Sequence, residues 1–402
     1  MIRKSFKIIF RTLAAIASFF ALIYTGCNTG NNIYMFPKEA SFTGDQYYNP
    51  YRGWDHEKTR LCNFHAHARA WGGITNGHDS REYIRERYKQ AGYDVCEVSD
   101  YFHMSEEEEP NAIISVYEHG LNVGKHHQLV LNAPEVNWKE FPLAQSIHNK
   151  QTVINSIRED TQAVVALAHP AFTVGYSEDD LKKLTNYHLI EVLNHRKFSF
   201  KEWDAALSAG RPAFLIADDD IHDLSSMSYF TRNATLISSP TLEKDSLLNN
   251  LTRGNALGVE IYMGDGETLE MRRQKILDME QLISAKMAGD TFKVSLSHVA
   301  DTVRFYGREG HLMKRLHNTK LADYPFDPSD PYIRTVIDFP SRNQMYLNPV
   351  LRTTGGKPTM PTVQTDRLNT LLYRTMMFLA FASILILWIR WLRTKFKTKG
   401  KT

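Results

Sequence analysis

The stretch Asn63-Phe64-His65-Ala66-His67 decides how the rest of the chain is read. It closes a short apolar run at residues 61–64, the first strand candidate of the globular part. Side chains on a strand alternate between faces, so His65 and His67 point the same way. Two imidazoles side by side are an arrangement that a divalent metal accepts. A His-x-His pair is also met by chance. This one gains weight because His and Asp recur at the ends of later apolar runs, in His169-Pro170 and in Asp218-Asp219-Asp220-Ile221-His222.

Outward from that stretch, apolar runs alternate with helical patterns. Strands are expected at 61–64, 94–98, 113–117, 129–131, 163–168, 189–193 and 213–217. Asp79-Ser80-Arg81-Glu82 has the form of a capping box, opening a helix that Gly92 ends. Further helices are expected near 179–184 and from Ser199 to a stop at Gly210. The alternation predicts an α/β domain, and chemistry at strand ends suits a barrel-like enzyme. The acidic run 106–109 reads as a solvated loop with no site role. Beyond about residue 235 the texture changes to short alternating segments at 259–262, 283–287, 292–296, 302–306, 333–339 and 345–351. Gly, Asp, Asn and Pro separate them, which predicts a small β-rich domain over 236–352 after a catalytic domain over 58–235.

The net charge of +3 conceals an asymmetry, because ten basic residues lie in 1–11 and 390–401 and leave about −7 between them. A mildly acidic globular part argues against nonspecific nucleic-acid binding. The three cysteines, Cys27, Cys62 and Cys96, are too few for a disulfide framework. Residues 1–27 carry a basic start, a charge-free run and Thr25-Gly26-Cys27. They read as a signal peptide, with Cys27 a lipidation candidate, or as an uncleaved signal anchor. Tyr24 departs from the aliphatic residue usual before such a cleavage site.

Residues 371–391 are expected to cross the membrane: 375–389 is charge-free, with Arg374 and Arg390 at its ends and Trp388 and Trp391 near the boundary. A buried core helix is the competing reading. The basic tail 392–402 fits a cytoplasmic flank and places the globular part outside, while 353–370, rich in Gly, Pro and Thr, reads as a linker.

With these residues in hand, the chain resembles the polymerase-and-histidinol-phosphatase (PHP) family of metal-dependent phosphoesterases over roughly 60–225. The likeness rests on His65-x-His67, His169-Pro170 and Asp220-x-His222. Tyr332-Ile333-Arg334 and Leu347-Asn348-Pro349 resemble the end of an accessory domain found in some members. The resemblance implies a distorted (β/α)7 barrel with up to three metals at the strand C-termini. It implies that His65, His67, Glu118 and Asp220 hold one ion. Glu118, His127 (or the adjacent His126) and His169 hold a second, and His222 serves a third. The third site departs from the family. Asn76 and Tyr101 stand where ligands are usual, and His78, His103 and Asp100 are substitutes close by, the last two also being catalytic candidates.

Two or three divalent ions, Zn, Mn or Fe, suit such a His and carboxylate set. Glu191 and Asn194 are candidates for substrate or supporting roles, and Arg69, Lys125 and Arg196 for phosphate. The expectation is therefore an exported, membrane-anchored hydrolase in which a metal-bridging hydroxide attacks a phosphoester of a small molecule, glycan or lipid. An amide or carboxylic-ester hydrolase on the same site, and a non-catalytic binding module, are the alternatives.

Overall fold

The computed structural model describes residues 2–104, 113–225 and 227–399, so the acidic run 106–109 and residues 400–402 of the basic tail lie outside the description. Seven short strands carry or flank the residues singled out above: β1 (Thr59–Asn63), β2 (Val95–Cys96), β3 (Val116–His119), β4 (Gln128–Leu131), β5 (Val164–Leu167), β6 (Leu189–Leu193) and β7 (Phe214–Ala217). The helices are α1 (Ile2–Asn28), α2 (Arg81–Ala91), α3 (Ile147–Ile157), α4 (Glu178–Lys183), α5 (Phe200–Ser208), α6 (Lys244–Thr252), α7 (Leu269–Leu277) and α8 (Arg367–Lys399). Helix α2 begins and ends where its sequence directs. The Ser80 hydroxyl accepts from Tyr83 N, and Gly92 takes the left-handed conformation (φ 104°) that closes the helix.

Strands β3 to β7 form one curled five-stranded sheet in chain order. Every residue in them is buried, because helices and the second sheet cover both faces. β4 runs antiparallel to β3 and β5, while β5, β6 and β7 are parallel. β1 and β2 pair parallel in a second sheet. Two single bridges, Tyr101 with Glu118 and Ala66 with Ile221, link the sheets. Asp220 N donates to His65 O (2.9 Å) and His67 N to Ile221 O (2.8 Å) along the same seam. The sheets thus meet at strand C-terminal ends, at the residues expected to bind metal.

The second sheet has ten strands. Its main path is completed by β8 (Asn233–Ser238), β9 (Ala256–Glu260), β10 (Leu282–Ala288), β11 (Thr291–Tyr306), β13 (Tyr332–Asp338) and β14 (Gln344–Thr353), with β12 (Leu312–Pro325) on the outer edge of β11 and the short strand Gln46–Tyr48 paired with the end of β14. The β-rich half is a sheet of its own but not a self-contained one. β8 pairs with β1 on one side and β9 on the other, so the sheet runs through the expected boundary at 235. The segments expected at 292–296 and 302–306 are one strand, β11, whose pairing with β12 shifts register between Ser295 and Ala300.

Two side chains pin this sheet to the curled one. Arg334 makes a buried bidentate pair with Asp204 of α5 (2.6 Å for each bond) and lies 4.5 Å from the Tyr306 ring. Asn348 accepts from Leu215 N of β7 (2.8 Å) and donates to Ala256 O (2.9 Å).

Within α1 and α8, residues 9–28 and 367–391 are long and apolar enough to cross a membrane by length and composition. Almost none of either stretch is buried by the rest of the protein, which removes the core-helix reading. The two helices touch, with the rings of Phe19 and Trp388 6.3 Å apart. The expected linker is tied down: Gln364–Thr365 pairs with Tyr34–Met35, and Lys357 Nζ donates to Thr252 O (2.6 Å).

Candidate metal centre

The structure brings seven of the sequence candidates into one cluster. His65 and His67 follow β1, Glu118 lies in β3, His127 precedes the antiparallel β4, His169 follows β5, and Asp220 and His222 follow β7. All but the half-buried His222 are buried. Their ligand atoms form overlapping groups within 4.8 Å: His65, His67 and Glu118; Glu118, His127 and His169; His65, His169 and Asp220; His67, Asp220 and His222.

His127 Nδ1 lies 2.6 Å and His169 Nε2 3.1 Å from Glu118 Oε1, and His67 Nε2 lies 3.1 Å from Oε2. His65 Nε2 and His67 Nε2 approach to 3.1 Å, and Asp220 Oδ1 is 3.3 and 3.4 Å from them. Donors held about 2.1 Å from one tetrahedral ion stand about 3.4 Å from each other, which is the spacing seen here. Glu118 Oε2 and His222 Nε2 are buried without a hydrogen bond of acceptable geometry. Buried polar atoms in folded proteins are nearly always paired, so these atoms fit a cation. The donor set, imidazole with bridging carboxylate, suits Zn, Mn or Fe.

The electrostatics agree. Burial alone would lower the His65 pKa, but the carboxylates of Asp220, Glu191 and Glu118 hold it well above the ordinary histidine value. His67 is pushed up to about 9 in the same way, with Asp220 and Glu118 outweighing burial. Glu118 and Asp220 are conversely held well below the usual carboxylate range, since the imidazoles around them overcome the cost of burial.

Glu191 supports the cluster from β6. Its Oε1 lies 2.9 Å from His65 Nδ1, and its Oε2 accepts from His169 N (2.7 Å). One carboxylate thereby orients two candidate ligands. His169 and Asp220 both hold positive φ (29° and 52°), strain that side chains at working sites often carry. Gly120 follows β3 because its position admits nothing larger: a Cβ there would stand 2.5 Å from the His127 ring.

The third-site candidates are not gathered in one place: Tyr101 lies against the cluster, while Asn76 and His78 lie outside it. Tyr101 stacks on His67 (ring centroids 4.7 Å), and burial raises its pKa, so it is a neutral wall. Asn76 is exposed, and His78 lies outside on Asp223 (3.4 Å). The Asp100 carboxylate accepts from Ala68 N (2.8 Å) and Arg81 Nη2 (2.7 Å) and braces the His-x-His loop. His103 sits at the rim, its ring 5.8 Å from that of Trp71.

His126 turns to Asn122 Oδ1 (3.1 Å), so His127 is the histidine facing Glu118. Arg196 lies 3.7 Å from Asp220 Oδ2. Sequence reasoning gave no role to Asp219, whose carboxylate accepts from Thr231 N, Arg232 N, Asn233 N and the Tyr88 hydroxyl at 2.6–3.0 Å. It fastens the segment after β7 to the residues that lead into β8, and only its place in an acidic triplet could have signalled this.

No protein-family model matches the chain. None of the curated proteins matches it. Among solved structures it is similar to a two-domain protein from Bacteroides vulgatus containing a predicted PHP-like metal-dependent phosphoesterase, at 12% identity and TM-score 0.40, covering 82% of this chain and 98% of that one. It is also similar to PsfC from Pseudomonas syringae, at 9% identity and TM-score 0.35, covering 55% of this chain and 98% of that one. At these scores neither likeness defines a shared fold.

Proposed function

We propose that this chain is an exported, membrane-anchored metal-dependent hydrolase of the PHP type, with a phosphoester as substrate. The observation that carries the reading is the cluster of His65, His67, Glu118, His127, His169, Asp220 and His222, with Glu118 shared between two of its groups. The ring of β1–β7 is read as that family's distorted seven-stranded barrel. His65, His67, Glu118 and Asp220 would hold one ion, Glu118, His127 and His169 a second, and His222 with Asp220 a further one. Ions so placed lower the pKa of water and draw charge from the ester oxygen. Glu191 would hold the imidazole of His65 and the backbone of His169 in register, Tyr101 would wall the site, and Arg196 would pair with phosphoryl oxygens. α1 and α8 anchor the chain, with the globular part on the extracytoplasmic side.

Elemental analysis of the purified full chain for Mn, Fe and Zn tests the centre. Two or three ions per chain are expected, with a sharp fall in His169→Ala and in Asp220→Ala. A full metal complement in both variants would remove the ligand assignment. A panel of phosphomonoesters, phosphodiesters, amides and carboxylic esters then tests the substrate class, and turnover confined to amides or carboxylic esters would replace the phosphoester reading. No turnover by the loaded protein on any class would favour a binding module.

A further inference from the structure

The rim of the metal centre carries large apolar side chains in water. Ile74 is 89% exposed and Val123 76%, with Leu121, Trp138 and Trp71 also exposed. All five belong to segments at the C-terminal ends of β1 and β3 or to the stretch packed over them. Trp71 Nε1 donates to Tyr101 O (2.7 Å), Trp71 and Trp138 have ring centroids 6.2 Å apart, and Trp138 stacks on Phe102 at 5.3 Å. Val123 N donates to Pro142 O (3.1 Å) and Leu121 N to Glu140 Oε2 (2.8 Å), which joins these two residues to the segment bearing Trp138, and Ile74 N donates to Trp71 O (3.2 Å). Exposed Arg69 and Lys125 stand in the same loops. Apolar and aromatic side chains mixed with cations are the composition of a surface that rests on anionic lipid.

The position of the membrane helices says what covers this rim. At the end of α1, Asn28 Oδ1 accepts from Asn149 in the first turn of α3 (2.9 Å) and from the Tyr373 hydroxyl of α8 (2.9 Å). The Lys139 ammonium packs on Gly30, and Arg374 donates to Asn31 O (2.9 Å). Lys139 adjoins Trp138. A short path of contacts therefore runs from the helix ends through Lys139, Trp138, Phe102 and Tyr101 to His67.

We propose that the rim formed by Trp71, Ile74, Leu121, Val123 and Trp138 rests on the bilayer that holds α1 and α8, and that the metal centre takes the phosphoester headgroup of a membrane lipid. The proposal deepens the phosphoesterase reading and rests on it for the headgroup, but not for the membrane contact.

The test uses the full chain in nanodiscs of phosphatidylethanolamine and phosphatidylglycerol. Nitroxide labels at Ile74→Cys and Val123→Cys are compared with one at Leu277→Cys, which lies beside Thr59 and Gly92 near the N-terminal end of β1. Labels at 74 and 123 should be accessible to lipid-dissolved oxygen and shielded from aqueous nickel, with the label at 277 the reverse. Water accessibility at 74 and 123 equal to that at 277 would overturn the contact.

With manganese loaded, the Ile74→Ser/Val123→Ser variant should lose cleavage of bilayer phosphatidic acid about tenfold or more relative to p-nitrophenyl phosphate, given the apolar burial removed. An equal fall on both esters would overturn the rim's part in choosing the substrate. Shielded labels in a protein that cleaves neither ester would uphold the membrane contact and remove the phosphoesterase reading instead.

Discussion

Five imidazoles and three carboxylates converge in a largely buried cluster, where protons compensate the carboxylate charge when ions do not. His65 and His67 therefore bind protons more tightly than free imidazole. The sign follows for His67, whose folded value of about 9 lies above the ordinary 6.5. Its protonation stabilises the metal-free fold fully below about pH 6.5, and that contribution is lost as pH rises through about 9. Metals compete with the same protons. Manganese affinity measured calorimetrically should rise between about pH 6.5 and 9, by about tenfold per unit for each proton displaced. An affinity flat across that window would show that the imidazoles are not ligands. At the same scale, Glu191→Gln removes the charge that orients His65 and His169 while keeping the shape. The expected loss is about 10- to 100-fold in metal affinity, with Gln retaining the fold by circular dichroism. Unchanged affinity would reduce Glu191 to a packing residue. His65, His67, His169, Asp220 and His222 were legible because strand alternation and run ends expose them in sequence. The bracing of Asp100 by Arg81 and the grip of Asp219 were not, since both join residues far apart in the chain.

Among the elements, legibility followed burial pattern. α2 announced itself by its cap residues and its buried Ile84, Tyr88 and Ala91. α3 did not, because it buries Asn149, Lys150, Gln151 and Thr152 beside its aliphatic residues and so shows no apolar stripe. Those polar groups are satisfied by Asn28, Asn31, Gly175, Asp180 and Thr185, partners that no local pattern can name. β12 escaped for the opposite reason: an edge strand exposed along most of its length carries little hydrophobic signal. The contacts that join elements make sharp predictions. Asp219→Asn sets an amide N–H against backbone donors and should cost about 2–3 kcal/mol in urea denaturation. No loss would mean that the loop from Thr231 to Asn233 is held by other contacts. Arg334→Met strands the buried Asp204 carboxylate and should cost about 3–5 kcal/mol, most of which Asp204→Leu on top of it should restore. Strictly additive losses would show that the pair is not what joins α5 to β13.

At the scale of the molecule, the sequence left the fate of the first helix open between cleavage before Cys27 and retention. Contacts made by the finished fold bear on that choice. α1 runs unbroken through Cys27 to Asn28, and Cys27 is packed against the main core. Gly26 lies so close to α8 that a Cβ there would stand 3.2 Å from the Phe381 ring. Arg374 of α8 also donates to Asn32 Oδ1 (2.8 Å), just beyond the end of α1. A helix that served only for export would leave α8 with an apolar flank and no partner, whereas a retained one gives the globular body two stalks fixed at one corner. Two stalks remove the swivelling that a single anchor on a free linker allows, and a fixed attitude is what the proposed contact between rim and bilayer requires. Intact-mass measurement of residues 1–402 expressed in and extracted from membranes should accordingly show that residues 1–26 are retained, at 46.3 kDa. A mass short of the first 26 residues and increased by acyl chains would show cleavage and lipidation at Cys27, and would leave α8 as the lone helix in the membrane.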